Sequence, residues 1–364
     1  MITSLVSSII GWVRFFLFAF HGLYLLLLEL DLPFKIKSLL GVVNIDKRTN
    51  AQIPLSVLLQ KTMKQFKENK VKSEDARKKY VIITGANSGI GLETAKNLAN
   101  AGYNIIAACR NKQRGEEAVA IIQRQSRNRV DVRYMHCDLS SLESVKKFAG
   151  QIISEKIPVN ILVCNAGVMV PPLSRTKEGY ESQLGSNYLA HVLLVKLLLD
   201  TLKNNGPSRI IMVSSEAHRG GFINWDDINS DRSYNPFLGY SQSKCCIIMF
   251  TYELHRYLQA NRTKYQDKIT VNTLHPGIIV TNITQNVWFP FNLAMEHVLR
   301  FVAMNAFEGS VTIVYLCLSP EVEDVSGKYF DHCMPKKSLT LTYNKYDAEK
   351  LWDWSLDQIH KFLE

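Results

Sequence analysis

The sequence predicts an α/β protein: a doubly wound parallel sheet with helices on both faces, preceded by an N-terminal hydrophobic anchor helix. Three observations carry that prediction. From Tyr80 onward, short apolar runs rich in β-branched residues alternate with helical periods, the pattern of strands buried on both faces. A glycine-rich turn, Thr84-Gly85-Ala86-Asn87-Ser88-Gly89-Ile90-Gly91, closes the first run and opens the first helical stretch. Residues 15–28 are apolar except for His21, close to the roughly 20 residues that span a bilayer.

The apolar run reaches back to Leu5 if the Arg14 side chain snorkels. Glu29-Leu30-Asp31-Leu32-Pro33 follows it in place of a small-residue cleavage site. Residues 1–34 therefore read as an uncleaved membrane anchor, either spanning the bilayer or dipping in as a hairpin near Pro33. Residues 35–79 form a basic linker, with twelve Lys/Arg against four Asp/Glu. Within it, 54–72 has the pattern of an amphipathic basic helix. Positive charge after an apolar run keeps that side in the cytosol, which leaves the sequons at Asn261 and Asn282 unused. Of the formal net charge of +10, only about +3 remains for the body. Basicity so placed suits an anionic membrane surface. No stacked-aromatic RNA motif or zinc-finger spacing is present, so nucleic acid is not an expected partner.

Residues 80–364 read as one domain. A composition of 46% hydrophobic and 21% charged residues suffices for a full core. Strands are predicted at 81–84, 104–109, 132–137, 160–164, 209–214 and 270–275, and helices at 91–101, 114–125, 142–153, 181–204 and 240–258. Ligands of such a sheet bind at the carboxyl ends of its strands. The seven cysteines match no disulfide or zinc framework. Cys109, Cys137 and Cys164 end apolar runs, and Cys245 and Cys246 share a helix with Lys244. They read as buried free thiols in a reducing compartment, with no metal site.

The glycine turn stands where a dinucleotide site needs it, between strand and helix. Its glycines admit a pyrophosphate close to the backbone, and the helix N-terminus favours negative charge. Where a site for NAD would place an acid after the second strand, this chain has Arg110, a planar cation suited to a 2′-phosphate. NADP(H) is thus favoured, with NAD(H) as the other option. Far downstream, Tyr240 and Lys244 lie four apart in Tyr-Ser-Gln-Ser-Lys and so share a helix face. A neighbouring ammonium lowers a phenol pKa that is ordinarily about 10. Tyr240 could then exchange a proton with an alcohol or carbonyl near neutral pH. The pair and the turn together predict hydride transfer.

These residues resemble the short-chain dehydrogenase/reductase family over nearly all of 80–364. The motifs occur in order: the 84–91 turn, Asp138-Leu139, Asn165-Ala166-Gly167, Asn187, Ser214-Ser215, Tyr240 with Lys244, and His275-Pro276-Gly277 with Thr281. Asn-Ala-Gly-Val-Met, Asn-Tyr-Leu-Ala-His, Val-Ser-Ser-Glu-Ala-His and Ser326-Gly327-Lys328-Tyr329-Phe330 are similar to the membrane-anchored retinol dehydrogenases. The tail around Lys337-Ser338-Leu339, Thr342-Tyr343-Asn344 and Leu351-Trp352 is similar to that subgroup's X-linked branch. The resemblance implies a Rossmann-type sheet, with Tyr240 as general acid/base and Lys244 lowering its pKa and binding the nicotinamide ribose. It gives Ser215 a hydrogen bond to the reacting oxygen and Asn187 a water in the proton relay. Asp138 would contact the adenine, Asn165 the adenosine ribose region, and Thr281 the nicotinamide amide. Gly85, Asn87, Ser88, Gly89, Ile90, Gly91, Leu139, Ala166, Gly167, Pro276 and Gly277 complete the implied cofactor site. One departure is Cys164, where the family usually has a first asparagine.

The resemblance and the anchor agree on a lipophilic alcohol and its aldehyde or ketone, with retinoids or other isoprenoids favoured. They place the enzyme on the endoplasmic reticulum membrane facing the cytosol, or on a lipid droplet. A steroid or fatty carbonyl reductase, a non-catalytic dinucleotide-binding scaffold and a homodimer remain open. The aromatic-rich stretches 222–238 and 287–301 read as a greasy lid over an apolar substrate.

Overall fold

Aliphatic runs buried on both sides make the centre of one eight-stranded sheet. The computed structural model describes residues 79–126, 130–265, 268–277 and 304–364, with a helix α1 (Leu55–Lys70) and a paired Asn44–Ile45 and Gln52–Ile53. Strands β1 (Tyr80–Thr84), β2 (Asn104–Cys109), β3 (Val132–His136), β4 (Val159–Cys164), β5 (Ser208–Val213), β6 (Ile269–His275), β7 (Lys328–Asp331) and β8 (Met334–Lys336) stand in the order β8-β7-β6-β5-β4-β1-β2-β3. All neighbours are parallel except β7 and β8. The chain winds outward from β1 to β3 and returns to β4 on the other side of β1. That reversal opens a ligand crevice beyond the carboxyl ends of β1 and β4.

Helices α2 (Gly89–Asn100), α3 (Lys112–Gln125), α4 (Leu142–Ser154), α5 (Ala190–Asn204), α6 (Pro236–Ala260), α7 (Ala306–Leu318) and α8 (Lys345–Leu363) cover both faces. Successive β1 residues point to opposite sides. Ile82 joins an apolar cluster with residues of α4, α5, α6 and α8, while Val81 and Ile83 join one with α1, α2 and α7. Helix α1 lies in the predicted basic stretch. It buries Leu58 and Leu59 in the second cluster, and Lys61 reaches Glu321 at 3.6 Å.

Three departures from the sequence reading have physical causes. The predicted helix 181–204 is interrupted by a wide π turn, Leu184–Leu189, ahead of α5. Helix α6 starts before Tyr240, because Asn235 accepts the N–H groups of Phe237 and Leu238 and Pro236 fits the first turn. The sheet also gains the β7–β8 hairpin, whose two turn residues, His332 and Cys333, both have positive φ (48° and 63°). The anchor (residues 1–34), Thr281 and the lid stretch 287–301 lie outside the described residues. Among the described residues, no helix is long and apolar enough to cross a membrane.

Candidate active site

The end of β1 and the start of α2 form a backbone cradle. Gly85 and Gly89 take positive φ (70° and 55°). A Cβ at Gly91 would stand 2.4 Å from the Gly85 carbonyl oxygen and 2.7 Å from Asn165 Nδ2, so only glycine permits this approach. Asn87, Ser88 and Ile90 complete the turn, and Ser88 makes no side-chain cap at the N-terminus of α2. The first N–H groups of α2 thus carry the positive end of a helix dipole with no side-chain acceptor from Ser88, a seat suited to a pyrophosphate. Asn165, at the end of β4, donates its side-chain amide to the Thr84 carbonyl at 2.9 Å. A Cβ at Gly85 would lie 3.0 Å from the Ala166 Cβ. Arg110 follows β2 directly and is exposed beside this turn, where Gly85 N–H donates to the Ala108 carbonyl at 2.9 Å. Asp138 Oδ1 accepts the Ser140 N–H (3.0 Å) and hydroxyl (2.7 Å), which fixes the carboxylate. Leu139 packs beside the core.

The chemistry-bearing residues meet next to this cradle. Tyr240 and Lys244 are buried, 7% and 3% exposed, with the ammonium 5.6 Å from the Tyr240 ring centroid. Ser215 hydrogen-bonds the Tyr240 phenol. Ser214 cannot serve, because its hydroxyl is spent on the Lys244 carbonyl at 2.9 Å. Lys244 Nζ donates to the Val213 carbonyl at 3.0 Å. A Cβ at Gly167 would lie 3.2 Å from Asn187 Oδ1 and 3.5 Å from Lys244 Nζ, so four elements converge on one point. Asn187, in the π turn, accepts Val168 N–H at 2.7 Å and donates to the Val168 carbonyl (2.9 Å) and Ser243 Oγ (3.0 Å). Such wide turns recur at functional sites.

The electrostatics differ from the expectation that Lys244 lowers the Tyr240 pKa. Burial dominates: it pushes the Tyr240 phenol up to about 12, against a smaller lowering by the Ser215 hydrogen bond, and the Lys244 ammonium down to about 8. The 222–238 stretch also differs from a greasy cover. Asp227 carboxylate oxygens accept the N–H groups of Asp231, Arg232 and Ser233, and Ile223, Trp225 and Ile228 pack inward on the core. Pro276 and Gly277 follow β6. Gly277 N–H donates to His275 Nδ1 at 3.2 Å, and His275 Nε2 faces Asp331 (2.9 Å) and Glu216 (3.3 Å). No group of His, Cys, Asp and Glu among the described residues could hold a metal ion. All seven cysteines are buried and free.

Two further polar residues bear on the site: His218, which the sequence suggests as structural or substrate-adjacent, and His191, which sequence reasoning overlooked. His218 donates through Nδ1 to the Ser215 carbonyl (2.7 Å) and accepts Leu339 N–H at Nε2 (3.2 Å), tying the serine turn to the C-terminal segment. His191 is buried between Asn187 and Thr84. Its offset of four from Asn187 was the available signal.

The family model described as "short chain dehydrogenase" matches residues 79–289. The chain belongs to the short-chain dehydrogenase family. It is accordingly a nicotinamide-dependent oxidoreductase, of the retinol dehydrogenase-like subgroup. It is 40% identical over 293 residues to human retinol dehydrogenase 14, covering 76% of this chain and 85% of that one. Human polyprenol dehydrogenase is 36% identical over 283 residues, 77% of this chain and 84% of the relative. A crystal structure of an uncharacterised protein from Mycobacterium paratuberculosis superposes with a TM-score of 0.62 at 31% identity, covering 78% of this chain and 93% of that one. The cradle fits the family's dinucleotide on structural grounds, since the N-terminus of α2 takes no side-chain cap from Ser88 and the turn before it packs too closely for side chains at Gly85 or Gly91.

Proposed function

We propose that this dehydrogenase uses NADP(H) to interconvert a lipophilic alcohol, a retinoid or other isoprenoid, and its carbonyl compound at the endoplasmic reticulum membrane. The observation that carries the reading is the meeting of Tyr240, Ser215, Lys244 and Asn187 beside the glycine cradle. Retinol and polyprenol dehydrogenases among its relatives support the substrate class. The apolar run at 15–28 supports an anchor that concentrates the enzyme where such alcohols dissolve.

The 84–91 turn, Asn165, Ala166, Gly167, Asp138, Leu139, Pro276, Gly277 and Thr281 would hold the dinucleotide, with Arg110 on its 2′-phosphate. That group supplies or accepts the hydride when bound. Ser215 and Tyr240 grip the reacting oxygen by hydrogen bonds, and Tyr240 gives or takes its proton. Lys244 would bind the nicotinamide ribose, and Asn187 positions the water that refills the proton. Burial excludes bulk water, which strengthens each of these interactions.

NADPH consumption by membranes carrying the protein, against retinal, polyprenal, steroid and fatty aldehydes, tests the reading. Retinal or polyprenal should be reduced, and Tyr240→Phe should abolish turnover while keeping NADPH affinity. A Tyr240→Phe protein as active as the native one would refute the assignment.

A further inference from the structure

His191 lies one turn after Asn187, 1% exposed, with a partner at each ring nitrogen. Nδ1 is 2.9 Å from the Asn187 carbonyl, in the turn where the helical ladder changes register. Nε2 is 3.0 Å from Thr84 Oγ1. A carbonyl only accepts, so Nδ1 must carry the proton on that side. The Thr84 hydroxyl settles the other side. Its oxygen already accepts backbone N–H from Asn165 (2.9 Å) and Ala166 (3.0 Å), which uses both lone pairs of a hydroxyl. Its one proton is left to donate, and His191 Nε2 is nearer than the alternative, the Val163 carbonyl at 3.4 Å. A proton on Nε2 would point a third donor at an oxygen with nothing left to give.

From Asn187 the line continues. The Asn187 amide donates to Ser243 Oγ at 3.0 Å, and Ser243 Oγ donates to the Tyr240 carbonyl at 2.7 Å. One buried chain of hydrogen bonds thus runs from the end of β1, through His191 and Asn187, to the helix that carries Tyr240 and Lys244. Lys244 lies close enough to His191 that its charge disfavours a second positive charge there, and burial disfavours it more.

We propose that His191 is a positioning residue of the redox site, which as the neutral Nδ1–H tautomer holds Asn187 in register with the glycine turn. This rests on the reading of Asn187, Ser215, Tyr240 and Lys244 as the redox site. Its two nitrogens serve different partners, so damage to each should register differently. The Thr84 end braces the cofactor cradle. The Asn187 end aligns the proton relay.

The test compares His191→Asn, His191→Gln and His191→Leu in the full chain in membranes, measuring NADPH affinity and kcat per folded molecule. An asparagine amide can replace the Nδ1 donor, and a glutamine amide can reach toward Thr84. His191→Gln should therefore lower kcat more than His191→Asn does, and His191→Asn should weaken NADPH binding more than His191→Gln does. Each gap is about fivefold to tenfold, the scale of one buried hydrogen bond. His191→Leu should show both losses. Equal values for all three variants and the native protein, or parallel losses with no crossing of the two orders, overturn the proposal. Should His191→Leu fail to fold, imidazole 15N shifts of the native protein decide: Nδ1 protonated and Nε2 bare at neutral pH is expected, and the reverse tautomer or a doubly protonated ring overturns it. Native activity that is lost in Tyr240→Phe while the His191 variants match native would sink this inference alone. A native protein inactive toward every carbonyl compound would sink the site reading, and NADPH affinity and the tautomer would still decide on His191.

Discussion

Lys244→Met should make the nucleotide-free chain more stable at neutral pH while destroying its activity. Lys244 is 3% exposed, and burial lowers its ammonium from 10.5 to about 8. At about 1.36 kcal/mol per pKa unit, holding the charged form inside costs about 3 kcal/mol. The Val213 carbonyl at 3.0 Å compensates part of that cost, and losing this partner should take back about 1–2 kcal/mol. The net gain on substitution is therefore about 1–2 kcal/mol at pH 7. The pH dependence is the sharper signature. A lysine with a depressed folded pKa leaves the native state holding fewer protons than the unfolded chain between about pH 8 and 10.5, so native stability rises across that window. The contribution is fully present above pH 10.5 and is lost as pH falls through about 8. Urea unfolding of both proteins across the range cancels every other titrating group in the difference. The Lys244→Met advantage should shrink by about 3 kcal/mol from pH 7 to pH 10.5. Parallel curves would show that the ammonium is not held at a cost, and the electrostatic argument would fail.

Gly91→Ala places a Cβ 2.4 Å from the Gly85 carbonyl oxygen, where backbone cannot give way. A stability loss of about 1–3 kcal/mol and weakened NADPH binding should appear in urea midpoints and fluorescence titrations. Arg110→Ala removes an exposed cation after β2. It should lower kcat/KM for NADPH about tenfold or more while sparing NADH, on the scale of a charge-assisted hydrogen bond; equal effects on both would refute the 2′-phosphate assignment. Trp352 on α8 stacks 5.5 Å from Phe250 and tilts 5.2 Å from Tyr257. Trp352→Ala should cost about 3–5 kcal/mol, seen as a lowered melting temperature.

Legibility in the sequence follows the range of the interactions. Strands β1, β2 and β4 are buried at every position, so their apolar runs have no competing reading. The β7–β8 hairpin escaped notice for a local reason. Both central turn residues take positive φ, which ordinarily shows as Asn-Gly or Asp-Gly, but here His332 and Cys333 fill those places. Pro335 in β8 further masks a strand, although a proline is tolerated on a sheet edge. The start of α6 was missed by a helix predicted from 240, although Asn235-Pro236 is a cap followed by a first-turn proline. At the site, the resemblance implies Ser215 rather than Ser214, and in the structure Ser215 hydrogen-bonds the Tyr240 phenol while Ser214 donates to the Lys244 carbonyl. The link from Thr84 to His191 joins residues 107 apart. Only the pairing of β1 with β4 brings its ends together, and no local pattern encodes it.

The acidity of Tyr240 belongs to the same long-range class, and its sign came out opposite to the sequence reading. Spacing gives proximity, but proximity lowers a phenol pKa only if the neighbour is charged and the pair can be ionised inside the protein. Here both side chains lie out of water, and an ammonium–phenolate pair must beat two desolvation costs. One serine hydroxyl and one carbonyl do not meet that demand, so phenol and amine are each drawn toward neutrality. Proximity read from the spacing of Tyr240 and Lys244 therefore locates the pair, and burial decides which charge state each member favours.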